Sequence, residues 1–156
     1  MVEIVRERTF TEVSADRVWD LVEPVERLPE WFSMSETVEL LSGQGLGRRQ
    51  RVHGRWGHRR FEIDQTVIAY EPKRVLGWKH DAERLDGKPA PKISAETEFR
   101  IEVEAVNQDV LIRLRSRQLP DNMLKGIIVR LVAAPRVAHM LDDSLDRLAQ
   151  KLAQPR

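Results

Sequence analysis

The chain has 156 residues, no cysteine, and 26 basic against 25 acidic side chains, which leaves a formal net charge of +1. Without cysteine there can be no disulfide, thiol nucleophile or cysteine-ligated metal centre, and so even a charge balance gives no global pull toward nucleic acid or an anionic membrane. A domain of this size buries roughly 68–70% of the surface its unfolded chain exposes, so no covalent staple is required.

Val2 to Phe10 alternates charged and apolar side chains, which predicts a strand and not a signal peptide. Ser14 stands as the N-cap of a helix over Ala15 to Val22, with Asp16 in its first turn and Val18, Leu21 and Val22 at helical spacing. Pro24 stops it, and a second short helix, about Val25 to Leu28, leads into Pro29-Glu30-Trp31. From Thr37 the apolar period becomes two. Turn signals at Gly43 to Gly47, Gly57-His58, Glu71-Pro72-Lys73, Asp86 to Pro89 and Asn107-Gln108 divide the next stretch into six strands. From about Asn122 to Leu152, Ile127, Leu131, Ala134, Ala138, Leu141, Leu145, Leu148 and Leu152 recur every three or four positions, the pattern of a long amphipathic helix. Pro135 inside it predicts a kink. The longest apolar stretch, Gly126 to Pro135, is broken by Arg130 and falls short of the ~20 residues of a membrane span. The expectation is therefore one cytoplasmic α+β domain over residues 1–156, its sheet covered on one face by the last helix.

Side-chain period and charge can be tested against each other in three hairpins, because a one-residue slip turns every side chain over. Pairing Val106 with Asp109 sets Val103, Ile101 and Phe99 opposite Ile112, Leu114 and Ser116, with Glu102 opposite Arg113 and Glu98 opposite Arg117 on the other face; only Arg100 with Arg115 sets like against like. Pairing Trp56 with Arg59 sets Val52 opposite Ile63 and Gln50 opposite Gln65, with His53 facing Glu62 and Arg51 facing Asp64 outside. Pairing Tyr70 with Val75 sets Val67 opposite Trp78 and Gln65 opposite His80. The inner face so derived is mostly apolar, with Gln50, Gln65, His80, Thr97 and Ser116 as a polar group. Apolar walls with a few orienting polar groups make a ligand site. Polar side chains that satisfy one another or a structural water are the plainer alternative.

At this point the residues resemble a known family. Val13-Ser14-Ala15-Asp16-Arg17-Val18-Trp19-Asp20-Leu21-Val22 is similar to the helix that follows the first strand in the START-like (SRPBCC) superfamily, in its polyketide cyclase/dehydratase and lipid-transport branch. Leu28-Pro29-Glu30-Trp31, the stretch Val38 to Gly47, the Glu71-Pro72-Lys73-Arg74 turn and Ser144-Leu145-Asp146-Arg147-Leu148 continue the likeness over nearly the whole chain. The resemblance implies a helix-grip fold: a curved seven-stranded antiparallel sheet wrapped round the C-terminal helix, two short helices between the first and second strands, and a cavity between sheet and helix. It implies a class of ligand more than a reaction.

Other motifs are weaker. The glycines of Gly43-Gln44-Gly45-Leu46-Gly47 lack the spacing of a dinucleotide fingerprint and lie between two strands, so no cofactor is expected. Gly47 to Arg60 carries Arg48, Arg49, Arg51, Arg55, Arg59, Arg60, His53 and His58 and no acid. That suits an anionic partner or, more plainly, a solvated outer face; nucleic acid is disfavoured because Trp56 points inward, away from any base. His53, His58, His80 and His139 have no carboxylate at metal-ligand spacing, so no metal site is expected.

The leading expectation is a protein that binds a small, largely hydrophobic molecule such as a lipid, polyketide or quinone. Trp56, Phe61, Ile63, Trp78, Phe99 and Leu114 of the sheet and Met123, Ile127 and Leu131 of the last helix would form the walls, and Gln65, His80 and Thr97 would orient polar atoms of the ligand. The alternative is a cyclase or dehydratase with His80 as base, although the registers place no acid on its face. A further alternative is an interaction module acting through the Arg-rich hairpin over residues 48–60. Nothing in the pattern sets an oligomeric state.

Overall fold

The alternating segments form strands and the 3.6-period segments form helices in the expected order. The computed structural model describes residues 1–91 and 94–155. Strand β1 (Val2–Phe10) leads to α1 (Ala15–Val22), whose N-cap Ser14 accepts a hydrogen bond from the Arg17 N–H at 3.1 Å. A 3-10 turn (Val25–Arg27) enters α2 (Leu28–Trp31). There follow β2 (Thr37–Ser42), β3 (Arg49–Trp56), β4 (Arg59–Glu71), β5 (Val75–Leu85), the two-residue β6 (Lys88–Pro89), β7 (Ser94–Val106) and β8 (Asp109–Pro120). Seven strands make one curved antiparallel sheet in the order β1-β8-β7-β5-β4-β3-β2, and β6 pairs only with β5.

The expected continuous last helix is divided into α3 (Met123–Ile128), a π-helical segment (Val129–Ala133) and α4 (Ala134–Leu152). Pro135 lies at the start of α4, directly after the widened turn, which absorbs the interruption left by its missing N–H. Leu141, Leu145, Leu148 and Leu152 then bury the apolar stripe of α4. No helix among the described residues is long and apolar enough to cross a membrane.

The β7–β8 and β3–β4 registers are those expected from charge and period, down to Val103 opposite Ile112 and Val52 opposite Ile63. Arg115, the member of the like-charged pair, is neutralised by Glu102 and Glu3 at 3.1 and 2.6 Å, while Arg113 turns to Glu7 on β1. The β4–β5 pairing departs from the simple hairpin. Its centre keeps Val67 opposite Trp78 and Gln65 opposite His80, but an unpaired Ile68 sets Tyr70 opposite Leu76 instead of Val75, and an unpaired Asp81 shifts the other end so that Ile63 faces Glu83. The Thr66 hydroxyl holds the bulged Asp81 carboxylate.

On the outer face Asp64 is clasped by Arg51 and Arg84, at 2.7 and 2.9 Å. Hydrogen bonds from the Arg51 guanidinium, and then from Arg84, overcome desolvation and hold the carboxyl at about 2. The folded value lies below the ordinary one, so the clasp stabilises the protein fully above the ordinary carboxylate range and its contribution is lost as pH falls through about 2. Urea unfolding should therefore show roughly 2 kcal/mol lost by this group between pH 5 and pH 2. Asp64→Asn should remove that portion of the pH dependence; an unaltered acid profile would contradict the clasp.

Candidate functional site

Strand alternation decides which side chains face α4 and which face water, and the inner face is unequal along its length. Near the sheet's centre four aromatic rings close it: Trp78 and Phe99 lie 4.8 Å apart between centroids, and Phe32, at the end of α2, packs 5.5 Å from Trp78 and 4.9 Å from Phe99. Trp31 completes the group, 6.4 Å from Phe99. Trp78, Phe99 and Leu114, expected as ligand walls, are thus buried core. Trp31 and Phe32 were missed as partners, since nothing in the sequence says which side of the sheet a short helix lands on. Two hollows of about 240 and 380 Å³ lie elsewhere on the surface, and none of the expected site residues lines either.

The other end, where the β3–β4 and β5–β6 hairpins turn, is more open. Ile63 and Gln65 are buried, whereas Phe61, His80 and Thr97 are half-buried. Trp56 keeps its inward parity but sits at the strand's end, 57% exposed, with the Arg136 guanidinium 5.3 Å above its ring. Expected as a wall of the ligand site, it stands at the open rim of the inner face. β8 leads from this end into α3 and the π-helical segment, where Met123, Ile127 and Leu131 are exposed, joined by Leu124, Ile128 and Val132; over these two segments only Val129 is buried. The helical period correctly placed these residues on shared faces but not under cover.

The bulge at Asp81 brings in a residue that the regular register left outside. With Asp81 unpaired, Glu83 falls opposite Ile63 and hence on the inner face. His80 Nδ1 lies 2.7 Å from Glu83 Oε1. The face therefore holds an acid beside the histidine, contrary to the expectation from sequence. With Nδ1–H given to Glu83, Nε2 is the ring's acceptor nitrogen. Thr97, expected to orient a ligand, stands on the same face opposite Gln118, whose amide oxygen accepts from the Ser94 hydroxyl at 3.3 Å. Two buried donors on this face, Gln65 Nε2 and Trp78 Nε1, have no hydrogen-bond partner among the described residues.

Much of the basic hairpin is paired with carboxylates. Arg51 is on Asp64, His53 lies 2.7 Å from Glu39, Arg55 3.8 Å from Glu36 and Arg59 2.9 Å from Asp86. Arg48, expected outside and unmatched, is 4% exposed and points inward; its even parity with Gln50 and Val52 was the available signal. Burial pushes its guanidinium below the usual range, against the opposing pull of Glu23.

A curved antiparallel sheet gripping a C-terminal helix, with an open apolar end and a few inward polar groups, defines a helix-grip protein. The profile of the family described as "Polyketide cyclase / dehydrase and lipid transport" matches residues 1–153, and the chain belongs to that family. Among solved structures, the protein XoxI from Bacillus cereus is similar at 17% identity and TM-score 0.73, covering 97% of this chain and 96% of that one. Ginseng major latex-like protein 151 from Panax ginseng aligns at 9% identity and TM-score 0.74, covering 98% of each chain. DynU16, a protein of the dynemicin biosynthetic locus, aligns at 18% identity and TM-score 0.63 over 96% of this chain and 46% of its own. At these identities the likeness shows the fold. The comparison with curated proteins found no match.

Proposed function

We propose that the protein binds a small, largely apolar molecule at the hairpin end of the concave face, between Phe61, Ile63 and Gln65 of the sheet and the exposed apolar side chains of α3. The observation that carries this reading is an apolar face holding two buried donors, Gln65 Nε2 and Trp78 Nε1, with no partner among the described residues. A buried donor left unpaired costs about 1–3 kcal/mol, so a ligand that brings an acceptor there gains more than its apolar contact alone. Family membership supports the same class of ligand, a lipid or polyketide. The described residues favour the open hairpin end over the centre of the sheet, which the four aromatic rings fill. Native mass spectrometry of freshly purified protein, compared with the same sample denatured, should show a stoichiometric non-covalent adduct; an identical bare mass in both would count against the reading.

The His80–Glu83 pair favours a second reading in which the bound molecule is also turned over. Glu83 holds the imidazole so that Nε2 can take a proton from the carbon next to a ligand carbonyl, the C–H electron pair moving to the carbonyl oxygen as an enolate. In D2O the protein should then speed deuterium uptake beside the carbonyl of 1-tetralone by about 10²–10⁴-fold over buffer. His80→Ala should abolish the acceleration and Glu83→Gln should reduce it. Uptake at the buffer rate with wild-type protein would remove the base.

A further inference from the structure

Arg48 begins a chain of hydrogen bonds that has only one possible direction. Its Nη1 donates to the Glu23 carbonyl at 2.7 Å, with the Glu23 carboxylate 4.0 Å away, and its Nε donates to Gln50 Oε1 at 3.0 Å. Gln50 Nε2 in turn donates to Gln65 Oε1 at 2.8 Å. Gln50 and Gln65 are 0% and 1% exposed, so water does not compete for these bonds.

An isolated amide can turn its oxygen and nitrogen end for end with little steric consequence. Here that freedom is removed. A guanidinium carries donors only, so the Gln50 oxygen must face Arg48 and the Gln50 nitrogen must face Gln65. Gln65 is then obliged to offer its oxygen to Gln50, and its nitrogen is left as the unpartnered donor on the inner face. Trp78, whose indole N–H is a donor by its chemistry, lies one cross-strand pair further along the same face.

We infer that Arg48 is a positioning residue which, through Gln50 and Gln65, sets the polarity of the ligand site so that it selects an apolar molecule bearing a neutral carbonyl oxygen over a hydrocarbon of the same shape. The oxygen is met by an uncharged amide, two side chains away from the guanidinium, and a carboxylate placed there would give up its hydration without an adjacent countercharge. This rests on the proposed binding of a small apolar molecule at the concave face.

The test uses 1-tetralone and tetralin, which share one skeleton and differ by a carbonyl oxygen. Each is titrated into ¹⁵N-labelled full-length protein and followed by NMR, including the Gln65 side-chain amide and the indole N–H signals. Wild type should bind the ketone at least about 10-fold more tightly, as expected of one hydrogen bond to a formerly unpaired donor, with the Gln65 amide proton moving downfield. Arg48→Met should bring the two affinities within about 3-fold, because the amides can then reverse. If Arg48→Met does not fold, Gln50→Met breaks the same chain at its middle link and should have the same effect. Equal binding of both compounds by wild type would overturn this inference and leave the apolar site standing. A preference that survives in a folded Arg48→Met or Gln50→Met variant would also overturn it. Binding of neither compound would remove the site itself.

Discussion

Trp78→Ala should lower stability by about 3–5 kcal/mol, the cost of emptying a large aromatic from a core that cannot close over the space. Trp78 is fully buried, and its ring is held between Phe99 and Phe32, which belong to β7 and the end of α2. Removing it unlinks the sheet from the helix pair, so neighbouring side chains cannot simply shift inward. For a chain of this length that loss corresponds to a fall in Tm of roughly 6–20 °C. Trp78→Phe separates packing from polarity. It keeps an aromatic ring and discards an N–H that has no partner among the described residues, so it should cost much less stability while weakening any ligand that accepts from that N–H. Urea unfolding of both variants checks the first point; a Trp78→Ala protein as stable as wild type would show that the ring does not join sheet to helix.

Gly54→Ala should be the next most damaging change, at roughly 1–3 kcal/mol, although it adds a single methyl group. The added Cβ would lie 2.4 Å from the Met34 carbonyl oxygen and 2.4 Å from the edge of the Phe61 ring. The ring can swing aside, but the carbonyl belongs to the backbone between α2 and β2, so β3 itself must move away. Because Phe61 forms one wall of the proposed site, affinity for an apolar probe should fall together with Tm. Gly57→Ala provides the contrast. Its φ of +65° strains a side chain, yet nothing lies within 4 Å of its Cβ, so it should cost less and leave the site intact. Thermal unfolding of the two variants decides the point: equal losses would mean that close approach at Gly54 is not what requires glycine.

Much of the fold was legible because hairpins impose parity. Once Gly57-His58 and Asn107-Gln108 were read as turns, the partners in β3–β4 and, as far as Glu96, in β7–β8 followed, and charge pairs such as Arg51 with Asp64 verified the choice independently. The bulges at Ile68 and Asp81 were not legible, because one inserted residue leaves local alternation intact on either side of it. That is why the registers place no acid on the face of His80, although the bulge at Asp81 brings Glu83 onto it. Arg48 failed for a different reason: its charge suggested water, while its parity with Gln50 and Val52 pointed inward, and parity prevailed because Glu23 and Gln50 supply partners for the buried guanidinium. In α3 and the π-helical segment, period identified Ile127 and Leu131 as apolar positions on one helix, but period carries no information on whether another surface lies over them. The site was therefore legible in its residue types and incomplete in its boundaries.

The central claim is that an apolar molecule binds against α3 at the open end of the sheet. Its most direct test is a fluorescence titration with the neutral dye N-phenyl-1-naphthylamine, comparing wild type with Ile127→Asp. Ile127 is 48% exposed, so the new carboxylate remains hydrated and the core is undisturbed, while the apolar wall gains a charge that an uncharged ligand cannot solvate. Wild type should give a saturable, blue-shifted signal that 1-tetralone displaces, and Ile127→Asp should weaken it at least about 10-fold, the effect of roughly 1.4 kcal/mol, with no fall in Tm. No saturable signal in wild type, or the same affinity in both proteins, would contradict the account.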